Sequence, residues 1–217
     1  MLTEPRNLHW PISTLELTTP DLTLRLPSDS ELDALAQVAA EGVLPDGVVN
    51  FPQPWASGPP PERARNVVQN HWWARGDWDR DNWRLLLAVF HGNQVIGQQN
   101  LSARDFATTG ESRTGFWLGQ RFQGRGYGTQ MRAAALALAF DGLSAARVTS
   151  TAFAHNSASR AVSRKFGYRP NGVRRIAVGG RAIDAHEEVI EKADWPSHSK
   201  LAPVEIAGLS ACLTCFR

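Results

Sequence analysis

At 217 residues, with 42% apolar and 20% charged side chains, the chain is sized for one well-buried domain and has an ordinary globular composition. Its net charge of +2 is too small for the basic footprint of a nucleic-acid binder, and its longest apolar run, 133–140, is far too short to cross a bilayer. The N-terminus carries Glu4 and Pro5 and shows no apolar signal segment, so a cytoplasmic protein is expected.

Residues 1–20 read as a polar lead-in containing Trp10 and Pro11. Residues 22–26 alternate apolar and polar, the period of a half-buried strand, and Pro27 ends it. Ser28 and Glu31 have the spacing of a capping box, followed by an apolar helical face of Leu32, Leu35, Ala36 and Ala39 that Gly42 closes. Between 43 and 82, prolines at 45, 52, 54 and 59–61 break regular structure until a helix starts near Pro61 and stops at Gly76. Trp55, Trp72, Trp73, Trp78 and Trp83 gather here; most suit a core, and the group suits the wall of a small-molecule pocket.

Residues 83–90 and 94–101 read as strands joined by a hairpin at 91–93, and 113–119 as a further strand. A strand over 146–153 precedes a helix from the N-cap Asn156 to Lys165, and 173–178 with 183–190 form a closing hairpin around Gly179 and Gly180. The elements predict an α/β fold with a mixed sheet, in one domain over 1–195, followed by a tail, 196–217, with no assigned place. Cys212 and Cys215 lie in that tail. Without a second pair or nearby histidines they are read as reduced thiols, and no metal is expected.

The strand at 113–119 runs into Gln123-Gly-Arg-Gly126-Tyr-Gly128-Thr129 and then an alanine-rich helix. Glycines at 124, 126 and 128 let backbone approach a ligand, and a helix N-terminus beyond them favours a phosphate. A P-loop would need Lys-Ser/Thr after the last glycine, where this chain has Thr129-Gln130. A dinucleotide fingerprint needs different glycine spacing inside a βαβ unit, and a kinase loop lies between strands.

The run 123–128 resembles the Gln/Arg-x-x-Gly-x-Gly/Ala acyl-CoA-binding motif of the GNAT acyltransferase superfamily, supported by Gly115-Phe-Trp-Leu-Gly119 before it and Asn156, Ser159 and Lys165-Phe-Gly-Tyr168 after it. The opening 15–25 is similar to the ribosomal-protein N-acetyltransferase-like subgroup, and the likeness extends over 15–195, nearest to actinobacterial members, some of which take succinyl-CoA. The resemblance implies a mostly antiparallel sheet flanked by helices and acyl transfer from acetyl-CoA or succinyl-CoA to a primary amine. A non-catalytic acyl-CoA-binding or regulatory module is the alternative.

The backbone from Gln123 through Gly124, Arg125, Gly126, Tyr127 and Gly128 to Thr129 would hold the pyrophosphate, with Arg121 and Arg125 at its edge. By resemblance, Phe116, Trp117, Leu118 and Gly119 expose backbone to the pantetheine arm, Asn156 bonds it, and Lys165 belongs to the same motif. Leu118 or Gly119 N–H would polarise the thioester carbonyl. Ser159 occupies the subgroup's thiolate-partner position, and Ser163 stands where many members have a tyrosine.

The subgroup's glutamate is missing at Ile176-Ala-Val178, which leaves Asp105, Glu111, Asp184 and His186 as alternative bases. Arg63, His71 and Arg75 are candidates to clamp a succinyl carboxylate. No nucleic-acid or membrane partner is expected, a homo-oligomer is allowed, and the acceptor stays open between a protein N-terminus or lysine, an antibiotic and a small metabolite.

Overall fold

The computed structural model describes residues 9–45, 47–197 and 201–216; the first eight residues of the lead-in, Asp46, 198–200 and Arg217 lie outside that set. A short 3-10 turn leads into a hairpin of β1 (Glu16–Thr18) and β2 (Thr23–Arg25). Helix α1 (Asp29–Glu41) starts on the expected box: Glu31 N–H donates to Ser28 Oγ at 3.3 Å, and Ser28 N–H donates to Glu31 Oε2 at 2.9 Å. Helix α2 (Pro60–Gly76) opens on proline, whose missing N–H costs nothing in a first turn.

Strands β3 (Asn82–His91) and β4 (Gln94–Arg104) form the long hairpin, and the one-turn α3 (Phe106–Thr109) leads to β5 (Glu111–Leu118). Helix α4 (Tyr127–Ala137), extended by a π turn to Gly142, then crosses over to β6 (Arg147–Phe153). Helix α5 (Ser157–Lys165) and the hairpin of β7 (Arg169–Val178) and β8 (Arg181–Glu191) follow. β9 (Glu205–Ala207) and α6 (Leu209–Cys212) close the described chain.

The nine strands make one sheet in the order β7-β8-β6-β5-β4-β3-β2-β1-β9. Only β5 and β6 run parallel among these neighbours, because α4 carries the chain back to the same end of the sheet before β6 begins. Helices α1 and α2 cover one face, where His71 of α2 meets Gln98 of β4. Helices α4 and α5 cover the other, where Arg132 of α4 reaches Ser150 of β6. The core between them is dominated by leucines of β2 and β3 and by the fully buried alanines of α4. Among the described residues, no helix is long and apolar enough to cross a membrane.

Two expectations change here. Residues 16–18, read as lead-in, are a strand. The segment read as a tail is part of the fold: β9 pairs with β1, and Phe216 is fully buried against Trp83 and Trp78, with ring centroids 5.0 and 5.4 Å away. Cys212 is buried beside it, and desolvation pushes its thiol up to about 11, which suits packing better than redox or metal chemistry. Phe216→Ala is therefore expected to cost about 3–5 kcal/mol and to lower the Tm by roughly 6–20 °C, measured by thermal unfolding.

Candidate active site

The parallel pair opens partway along its length. β5 and β6 are in register from Glu111↔Arg147 to Thr114↔Ser150 and no further. Beyond that, β5 stays with β4 as far as Leu118, and β6 stays with β8 as far as Phe153. Residues 115–118 and 151–153 therefore face each other across a gap without sharing hydrogen bonds. Gly119 N–H is spent on Ile96 O at 2.9 Å, so strand alternation turns the N–H groups of Leu118 and Phe116 toward the gap. Of the two oxyanion donors considered, Leu118 has the free geometry and Gly119 does not.

The glycine turn sits at the mouth of this gap. Gln123 ties it down, its Nε2 donating to Val43 O at 2.8 Å and Leu118 O at 3.0 Å. Gly124 and Gly126 have φ of +75° and +84°, and a Cβ on either would meet nothing within 4 Å. Their left-handed conformation needs glycine, and the space before them is open. Gly126 caps α4 without a side chain, so the first-turn N–H groups have no side-chain acceptor. Gly128 has a different job: a Cβ there would lie 3.2 Å from Phe116, so this glycine lets helix and strand approach closely.

The charged rim is mixed. Arg121 pairs with Glu41 at 2.6 Å, and Arg125 donates to Arg121 O at 3.0 Å; both arginines are exposed. Lys165 Nζ comes within 3.4 Å of Thr129 Oγ1, which places a cation from the end of α5 against the first turn of α4. The Tyr127 ring turns to His91, so Tyr127 offers the turn its backbone only. A cleft of about 510 Å³ lies beside the turn, bordered by Gly42, Gly119 and Gln120. A pyrophosphate fits this set: open left-handed glycines, uncapped N–H groups and a lysine at one helix end.

Helix α5 begins at the other lip. Asn156 Oδ1 accepts from Ser159 N–H at 3.1 Å, so Asn156 is an N-cap as expected, and its side-chain amide hydrogens have no partner among the described residues. Ser159 is half-buried in the first turn. Ser163, one turn on, is fully buried, its Oγ without a hydrogen-bond partner among the described residues. The structure separates the two serines, and Ser159 is the one near the opening.

On the α1/α2 face, Gly115 leaves a clearing: a Cβ there would meet only Asn100 Nδ2, at 3.9 Å. Asn100 Oδ1 accepts from Gln98 Nε2 at 2.6 Å, and Gln98 Oε1 lies 2.8 Å from His71 Nε2. With Gln98 donating to Asn100, its oxygen faces a protonated Nε2, which assigns His71 the neutral Nε2–H tautomer. Burial drives the His71 pKa down to about 4 from 6.5. Between those two values the unfolded chain binds the proton and the folded chain does not, so stability is expected to fall as the pH drops through this window. The loss is a few kcal/mol at most and should vanish in His71→Gln, read by urea unfolding at about pH 7 and about pH 4.5. Trp55, tilted at 56° to Trp117 with centroids 5.4 Å apart and Phe51 behind it, packs next to this clearing; Trp72 and Trp73 are exposed.

Two of the proposed carboxylate clamps have other work. Arg63 donates to Ala39 O, Ala40 O and Gly58 O, which satisfies the last carbonyls of α1, and Arg75 donates to Pro27 O. Of the base alternatives, Asp105 precedes α3 and Glu111 begins β5, both at the closed end. Asp184 and His186 pair with Arg175 and with Ala152 and Val173, positions on the α4/α5 face. None of the four lies beside Gly115: Glu111 shares its face of β5 but stands four residues away, at the closed end. A cluster absent from the sequence reading does lie near it: Arg113, Thr151, Glu187 and Arg174.

A helix N-terminus thus stands at the mouth of a split parallel pair, an arrangement with room for a phosphate group at the turn and an extended arm between the two strands. The chain belongs to the GNAT acetyltransferase family, whose acetyltransferase (GNAT) domain matches residues 21–169. GNAT acetyltransferases use acetyl-CoA. Similar solved structures include Mycobacterium smegmatis RimJ in complex with CoA-disulfide, with 17% identity, a TM-score of 0.65 and coverage of 95% of this chain and 97% of that one. RimL, a ribosomal L7/L12 α-N-protein acetyltransferase in complex with coenzyme A, has 20% identity, a TM-score of 0.61 and coverage of 79% and 94%. A GCN5-related N-acetyltransferase from Brucella melitensis has 20% identity, a TM-score of 0.63 and coverage of 85% and 82%. At these identities the likeness is one of fold.

Proposed function

We propose that this chain is an N-acyltransferase that moves an acetyl or succinyl group from acyl-CoA to a primary amine by direct attack, in the cytoplasm. The observation that carries the reading is the alignment of the α4 cradle, the β5/β6 gap and the Gly115 clearing along one path through the sheet. Within the turn from Gln123 to Thr129, the backbone of 124–128 holds the pyrophosphate, since the N–H groups of Gln123 and Thr129 are already given to Gln120 O and Gly126 O, and Arg121, Arg125 and Lys165 supply charge at its edge. Residues 116–118 and Asn156 hold the amides of the arm, and Leu118 N–H polarises the thioester carbonyl.

The amine nitrogen, entering from the α1/α2 face, forms the new C–N bond as the C–S bond breaks. Ser159 Oγ–H donates to the departing thiolate, and the amine's proton leaves through water on the open face. The likeness to RimL, a ribosomal L7/L12 α-N-protein acetyltransferase, makes a protein N-terminus the first acceptor to try.

A non-catalytic acyl-CoA-binding module is the second reading, favoured by the absence of any of the four proposed bases at Gly115. Release of free CoA thiol decides between them, measured with acetyl-CoA and succinyl-CoA against N-terminal peptides, lysine peptides, aminoglycosides and small amines. Turnover with any pair supports the transferase. Tight acyl-CoA binding with no turnover across the panel supports the module.

A further inference from the structure

The cluster on the α1/α2 face beside Gly115 has a composition that ion pairing alone does not explain. Arg113 of β5 donates to Thr151 Oγ1 at 3.3 Å and to Glu187 Oε2 at 3.4 Å. Thr151 donates to the same Glu187 oxygen at 2.8 Å, and Arg174 of β7 lies 3.3 Å from Glu187 Oε1. Two guanidiniums thus converge on one carboxylate and leave the cluster with a net positive charge. The Glu187 side chain is only 14% exposed, whereas those of Arg113 and Arg174 are 49% and 59% exposed, so the anion is sunk and the cations stand over it. Exposed ion pairs contribute little to stability, and a second arginine on an already paired glutamate adds like-charge repulsion.

Position gives the arrangement a use. Arg113 is two residues before Gly115 on the same face of β5, and Thr151 is the first β6 residue on that face past the last β5 pair. The surroundings are also cationic: residues 157–183 hold seven arginines and lysines and no acidic residue. A guanidinium offers a planar fork of donors matched to a carboxylate, and here Glu187 holds two such forks in place with edges open to solvent.

We propose that Arg113 and Arg174, set by Glu187 and Thr151, recognise a carboxylate on one of the two reaction partners. This rests on the acyl-transfer reading. The carboxylate has two sources, the far end of a dicarboxylic acyl group or an acidic residue of the acceptor, and both would arrive on this face.

The test substitutes Arg113→Gln and Arg174→Gln, with Arg113→Lys as a variant that keeps charge without the fork and Arg175→Gln as the opposite-face control. Thiol release is measured with succinyl-CoA against acetyl-CoA, and with a pentapeptide carrying glutamate in its second position against its glutamine twin. Calorimetry of the same four ligands follows binding alone. The expected result is a fall of at least about tenfold in one preference ratio of kcat/KM for either glutamine variant, with a matching loss of affinity, while Arg175→Gln keeps the wild-type ratios. A fall in the donor ratio assigns the carboxylate to the acyl group, and a fall in the acceptor ratio assigns it to the acceptor. Ratios and affinities that stay within about twofold in both glutamine variants overturn the proposal. Should wild-type protein release no thiol from any pair, the transferase reading fails, and the calorimetry with succinyl-CoA and the glutamyl peptide still decides the cluster.

Discussion

Gly126→Ala is expected to weaken coenzyme A binding by about 10–100-fold while lowering the Tm by only a few degrees. Gly126 stands at the N-cap of α4 with φ +84° and open space where a Cβ would be. The structural cost is therefore backbone strain alone, about 1–2 kcal/mol for a non-glycine residue in the left-handed region. The functional cost comes from the methyl group, which occupies the approach to the first-turn N–H groups. Losing one or two charge-assisted hydrogen bonds at about 1.5–3 kcal/mol each accounts for the expected range. Gly180→Ala separates the two effects. Gly180 has φ +76° at the tip of the β7–β8 hairpin and also has nothing within 4 Å of a Cβ, so it carries the same strain without a ligand. The two variants should melt alike, and only Gly126→Ala should lose affinity for CoA by calorimetry. Equal affinities for CoA would remove the phosphate role from the turn.

The features legible in the sequence were those written in neighbouring residues. The Ser28–Glu31 box, the Asn156 cap and the left-handed glycines at 124 and 126 are local, because capping and turn geometry are decided within a few residues. Gly128 looked like its two neighbours, yet it is a glycine because Phe116, twelve positions earlier, packs against it. Arg63 and Arg75 looked available for a ligand because nothing local shows that α1 and residue 27 supply the carbonyls they satisfy. The three-residue strands β1 and β9 are too short for a periodicity to register, and their pairing joins opposite ends of the chain. Glu187 was hidden for a further reason. Its neighbours Arg113, Thr151 and Arg174 come from three other strands, and a one-residue change of register would turn each to the opposite face.

Ser159→Ala is expected to lower kcat by about 100-fold or more, with little change in the KM for the acyl donor. On the proposed mechanism the hydroxyl acts on charge that exists only as the C–S bond breaks, so its loss should fall on the transition state rather than on ground-state binding. The fold should tolerate the change, because the α5 cap is made by the Ser159 backbone N–H to Asn156 Oδ1 and alanine keeps that N–H. Ser163→Ala is the contrast. Its hydroxyl is fully buried with no hydrogen-bond partner among the described residues, so alanine removes an unsatisfied group and should leave the Tm equal or higher. The discriminating measurement is kcat for both variants with an acyl donor whose leaving thiol is more acidic than CoA. A better leaving group needs less help, so the Ser159→Ala defect should shrink with that donor. A defect that stays the same size with both thiols would mean that Ser159 positions the donor, and the thiolate would then need another partner.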